Sequence, residues 1–196
     1  METMTTSIIL PFLVFFPFLG AVISYIIGRS NKGARDIWCW ILSAVIFIAS
    51  LTLIGKETVY SLRGFCGLGL SFAADGFGVI LAVLTGAIWL ITTIFSKEYM
   101  AAERNRNRYY FFVFLTLGAT MGIFLSADLF TTFIFFEIMS FTSFVLVMHD
   151  EEDFTVRSAK TYLAVAVIGG LVTLMGLFMM YQKAGTLNMA ELTAFM

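Results

Sequence analysis

The chain has 196 residues, 60% of them hydrophobic and 13% charged, with a formal net charge of −1. A soluble domain carries about 25% charged residues, so the composition argues against a water-soluble enzyme and points to lipid as the solvent. The near-neutral balance gives no basis for a nucleic-acid partner.

Apolar runs at 8–27, 37–55, 72–96, 109–126, 129–148 and 158–181 predict six membrane-crossing helices. The runs are continuous rather than alternating, which excludes a strand barrel and gives an all-α, polytopic transmembrane helical bundle. The first run follows METMTTS, which has no basic segment, so it reads as a retained span rather than a cleaved signal. Pro11 and Pro17 fall inside it and are tolerable where neighbouring helices re-satisfy the freed carbonyls. Cys39 and Cys66 adjoin apolar runs, form no metal or disulfide framework, and read as buried bystanders.

Orientation follows from Lys and Arg. Arg29, Lys32, Arg35, Lys97, Arg104, Arg106, Arg108, Arg157 and Lys160 fall after the odd-numbered runs, whereas only Lys56, Arg63 and Lys183 fall on the opposite side. That bias predicts a multi-pass protein of the cell (cytoplasmic or inner) membrane, with both termini on the outer side.

Glu137 lies near the middle of the fifth run, LFTTFIFFEIMSFTSFVLVM. A charge at that depth costs about 2.5–3.5 kcal/mol on insertion scales, so an acid there reads first as an ion- or proton-binding group. The alternative is a protonated carboxyl that hydrogen-bonds a neighbouring helix. Lys160, early in the sixth run, is either a snorkelling side chain or a buried amine that exchanges a proton. A Glu–Lys pair on adjacent helices favours the second reading. Ser140 stands one turn beyond Glu137 and could bond its carboxyl, while Thr116 and Thr120, spaced by one turn, could line the same wet path. The single histidine, His149, ends the fifth run beside four acids and is the remaining secondary candidate for proton handling.

Three acids read as helix caps. Asp128, in the short turn between the fourth and fifth runs, is placed to cap the fifth helix, and Asp75 to cap the third. Asp153 or Thr155 would cap the sixth, and Gly169, Gly170 and Gly176 suggest close helix packing. No Gly-rich phosphate loop and no cysteine pair spaced for iron–sulfur or zinc is present, and one histidine cannot ligate haem as a pair. The expectation is therefore no cofactor and no redox or hydrolytic centre in this chain. Any ion movement would draw on a gradient or a redox partner.

The segments FLSADLFTTFIFFEIMSFTSFVLVMHDEE and RSAKTYLAVAVIGG resemble the signature of the antiporter-like membrane subunits of respiratory complex I, multisubunit Na⁺/H⁺ antiporters and membrane-bound energy-converting hydrogenases. DGFGVILAVLTG, FSKEYM and AGTLNMAEL resemble flanking segments of the same family, in the same order, across Phe72 to Leu192. The resemblance implies that Glu137 is the family's proton-translocating glutamate and Lys160 the lysine of the same charged axis. It implies H⁺ or Na⁺ translocation within a larger redox-driven or gradient-driven complex. It also divides the chain into lead-in helices over 1–107 and the start of an antiporter-like repeat over 108–196. Family members have further helices beyond this point, so the implied partners are other membrane subunits, one of them supplying the missing helices. The competing expectation is a structural adaptor that packs between other membrane subunits and carries a vestigial charge site.

Overall fold

Each apolar run becomes a helix, but the charged residues framing the runs are drawn into the helices as well. The computed structural model describes residues 5–62, 64, 69–101, 103 and 105–195. Cys66, Arg63 and Arg104 lie outside the described residues. Seven helices are present among them: α1 (Ile9–Ser30), α2 (Lys32–Leu51), α3 (Gly76–Tyr99), α4 (Arg106–Phe124), α5 (Leu129–Val147), α6 (Asp153–Ala184) and the short α7 (Met189–Phe195). Five of them, α1, α2, α3, α5 and α6, are long and apolar enough to cross a membrane.

The helix α4 is as long as α5 but less apolar, for a structural reason. It packs between α1 and α5, and its residues from Leu117 to Gly122 are all buried. A helix enclosed by protein needs no lipid-facing surface and can carry Gly, Ala and Thr instead of Leu and Ile. Gly118 shows the consequence: a Cβ there would stand 2.6 Å from Phe18 of α1 and 2.9 Å from the Val14 carbonyl. The core runs through this contact, with Leu13, Val14, Leu42, Ile46, Phe72, Phe114, Met121 and Phe135 buried in one cluster. Farther out, α2 bridges α1 to α3, and α6 lies against α5. Outward residues of α6 such as Val165, Ile168, Val172 and Met175 are exposed, as lipid-facing side chains would be.

Two of the boundaries that differ from those that hydropathy predicts have local causes. Helix α2 begins at Lys32, five residues before the apolar run, because Asn31 turns extended and accepts from the N–H groups of Gly33 (2.9 Å) and Ala34 (3.1 Å). Charged residues in a first helical turn lower hydropathy without breaking the helix. The third run overshoots in the other direction: its first residues form a strand, and α3 starts only after Asp75, which accepts from Gly78 N–H at 2.7 Å.

That strand belongs to a small sheet that an all-α expectation does not include. The strands β1 (Thr5–Thr6), β2 (Thr58–Leu62) and β3 (Leu70–Ala74) lie in that order, with β1 parallel and β3 antiparallel to β2. The sheet sits over the α4–α5 turn, where Ala127 N–H donates to the Ser71 carbonyl (2.9 Å) and Ala73 N–H to the Leu125 carbonyl (2.8 Å). At the other end of the bundle, side chains tie α2, α3, α4 and α5 together. Arg35 donates to Asn107, Arg106 donates to the Lys97 carbonyl (3.1 Å), and Arg108 donates to the His149 carbonyl (2.8 Å). These basic residues are thus concentrated at one end.

Candidate functional site

Asp128 fixes where α5 begins. Its carboxylate accepts from Thr131 N–H (2.7 Å) and from the Thr131 hydroxyl (2.6 Å), the cap that its position implied. From this start, Glu137 falls near the midpoint of α5 and turns toward α6. Its carboxyl rests on Gly170: a Cβ added to that glycine would stand 2.8 Å from Cδ and 2.9 Å from Oε2, with Oε1 nearer still. Gly170 is buried, whereas a Cβ at Gly169 or Gly176 would meet nothing within 4 Å. The packing role expected of these glycines is therefore realised at Gly170 alone, and it makes room for an acid rather than for a helix backbone.

The Glu137 Oε1 atom is buried and has no hydrogen-bond partner among the described residues. A carboxyl oxygen sequestered in this way costs about 1–3 kcal/mol when left unpaired, and more if ionised. Such a group is held at a cost to the fold.

The other candidates do not converge on it. Lys160 is exposed on α6, ten residues before Gly170, which is about 15 Å along the helix axis. No ion pair joins it to Glu137, so the expected Glu–Lys contact is not formed among the described residues. Helix α6 is also uncapped by Asp153 or Thr155, because Asp153 is already its first residue and Glu152 precedes it without a side-chain bond. Ser140 is buried, but its hydroxyl donates to the Phe136 carbonyl of its own helix (3.0 Å) and not to Glu137.

Thr116 and Thr120 face a different neighbour. The Thr116 hydroxyl lies 2.9 Å from that of Thr142 on α5, and Thr120 donates to the Thr116 carbonyl (2.8 Å). Thr142 follows Glu137 by five residues, which turns it about 140° around α5, toward α4 and away from α6. The threonines are thus α4–α5 packing contacts, separate from the carboxyl. His149 lies edge-on to Tyr109 at 5.8 Å, and its buried Nε2 is unpartnered among the described residues. It belongs to the basic end of the bundle, about three turns from Glu137.

Sequence reasoning missed a buried charge cluster at that end. Arg35 is fully buried and pairs with Asp36 (2.7 Å), stacks over the Tyr110 ring (4.7 Å) and donates to Asn107. Arg106 reaches the other Asp36 oxygen at 3.4 Å. A signal for it existed. Ile46, Leu42 and Cys39 mark the buried stripe of α2, and extending that spacing backward lands on Arg35.

Residues 126–196, which carry Asp128, Glu137, Lys160 and Gly170, match the family described as NADH:quinone oxidoreductase/Mrp antiporter, transmembrane. The chain is 28% identical over 197 residues to a putative antiporter subunit mnhD2 of Staphylococcus aureus, covering 96% of this chain and 39% of that one. Over these residues the chain is similar to the antiporter-like membrane subunits. It is also 30% identical over 124 residues to a Na⁺/H⁺ antiporter subunit of Alkalihalophilus pseudofirmus, covering 63% of this chain and 25% of the relative.

Two solved structures share the fold of this chain. One is a chain of an archaeal membrane-bound sulfane sulfur reductase (TM-score 0.85, 19% identity, 95% of this chain and 39% of that one). The other is a chain of the Mrp complex of Dietzia sp. (TM-score 0.79, 22% identity, 93% and 36%). The chain thus spans about two-fifths or less of these relatives' lengths.

Proposed function

We propose that this subunit translocates protons, or Na⁺, through a larger membrane complex, with Glu137 as the group that binds and releases the ion. One observation carries the reading: a mid-helix carboxyl whose Oε1 is buried and unpartnered among the described residues, seated on a glycine that leaves room for it. An acid kept only as interhelical glue would direct both oxygens at donors.

Lys160 acts in this reading at a distance. At about 15 Å its coupling to Glu137 is at most about 1 kcal/mol for an effective dielectric near 20, enough to bias an ion's occupancy but not to hold it. Driving force comes from a counter-gradient or from redox chemistry in other subunits. In this reading the end rich in Lys and Arg, formed by α2, α3, α4 and α5, faces the cytoplasm.

A second reading, a non-translocating adaptor between other membrane subunits, is favoured by the same separation of Lys160 from Glu137. Glu137→Gln keeps the shape and removes the titratable charge. The expected result is a fully assembled complex in which transport across inverted membrane vesicles is lost. Assembled Glu137→Gln complexes with unchanged transport would establish the adaptor role instead.

A further inference from the structure

The basic end of the bundle holds a cavity of about 700 Å³ between the end of α1, the start of α2 and the first turns of α4. Its lining includes Lys32, Arg35, Arg106, Arg108 and Glu103 near the helix ends, and Tyr25, Phe111 and Phe112 about one turn farther along α1 and α4. We propose that this cavity binds one anionic phospholipid, its phosphodiester among the basic side chains and its glycerol and first acyl segment along the aromatic wall.

The charge balance fits a single phosphodiester. Asp36 engages Arg35 from behind and Glu151 engages Arg108, so with Glu103 three acids answer four cations and one positive charge remains uncompensated. Unpaired donors lie at this end as well. The Nε atoms of Arg106 and Arg108 are both buried and lack a hydrogen-bond partner among the described residues. Buried guanidinium N–H groups are normally satisfied, and phosphate oxygens accept from such forks in short, charge-assisted bonds.

The position suits a lipid better than a free anion. The three aromatic rings lie about one turn from the basic residues, with Tyr25 edge-on to Phe111 at 5.7 Å and Phe111 edge-on to Phe112 at 5.2 Å. Rings at headgroup depth beneath a basic layer form the boundary that a phospholipid itself spans. The site is fixed in shape by the buried Arg35–Asp36 pair and the Asn107 bond, so it exists before a lipid arrives.

The test uses the full chain in detergent, stripped of lipid and titrated with phosphatidylglycerol or phosphatidylcholine of identical acyl chains, with bound lipid counted by native mass spectrometry. Phosphatidylglycerol should bind about tenfold more tightly, and Lys32→Gln with Arg108→Gln should bring it to the phosphatidylcholine level. Lys32→Gln alone, at an exposed side chain, lowers the preference severalfold without threatening the fold, which circular dichroism verifies. Arg157→Gln with Lys160→Gln, which removes two cations from α6, leaves the preference intact. Equal binding of the two lipids, or equal losses in the α6 variant, would overturn the proposal. So would displacement of the lipid by excess inorganic phosphate, which would mark the cavity as a general anion site.

Discussion

Gly170→Ala tests the central geometry directly, because the added methyl group occupies the space of the Glu137 carboxyl. Cδ would start 2.8 Å from the new Cβ. It must retreat by about 0.7 Å to reach the ~3.5 Å at which carbon atoms rest in contact. The obstacle is the end of a flexible side chain, so the cost falls at the lower end of the overpacking range, about 1 kcal/mol. Glu137→Asp draws the carboxyl back by one methylene, about 1.5 Å, and vacates the same space. The two changes should therefore compensate. Each alone lowers transport in assembled complexes about tenfold, and the double variant recovers part of that loss, with a coupling of at least ~1 kcal/mol. Thermal unfolding of the purified chain gives a second readout that does not depend on transport. There Gly170→Ala should lower the midpoint, and adding Glu137→Asp should restore it. Additive effects within ~0.5 kcal/mol in both measurements would refute the contact between the carboxyl and Gly170.

Asp36→Ala removes the partner of a fully buried arginine and should destabilise the chain by about 3 kcal/mol, read from the thermal unfolding curve in detergent. Asp36→Asn, which keeps an acceptor, should cost less. Asp128→Ala deletes the α5 cap and its bond to the Thr131 hydroxyl and should cost about 1 kcal/mol, with Asp128→Asn close to the parent. Thr142→Val removes one hydroxyl of the α4–α5 pair while Thr116 keeps the Phe112 carbonyl at 2.8 Å. Its expected cost is about 0.6 kcal/mol, the average for interhelical bonds in membranes, with transport unchanged.

Helix existence was legible because lipid imposes length and polarity limits that a sequence displays directly, whereas the cap expected of Asp153 or Thr155 on α6 is not formed. Asp75 and Asp128 cap the helices that their positions implied, since a cap depends only on residues three positions away. Glu137 was legible as an exception to an apolar rule. The sheet was not, because only Asp75 and Gly76 separate LSFAA from the apolar residues of α3, so a single hydropathy window spans both. Its pairing with β2, and through Ser71 with the α4–α5 turn, depends on residues far apart in sequence. The Arg35 cluster was obscured for the opposite reason. Positive residues at a helix end count toward orientation, which assumes that they face water, and the rule carries no signal for one that turns inward.

The separation of Lys160 from Glu137 is fixed by Gly170, the residue of α6 on which the carboxyl rests. It lies ten residues, about 15 Å, farther along α6 than Lys160. Lys160 is only about 10 Å from the start of that helix, and Gly170 occupies the level where a paired base would stand. A base at Gly170 is sterically excluded by the carboxyl itself. Gly170 therefore brings no neutralising group to Glu137, and Oε1 is left unpaired among the described residues. Under the proposed translocation a fixed Lys at that level would favour the charged carboxylate and oppose the exchange that the proposal requires. Glycine there keeps the acid both buried and, in that reading, available.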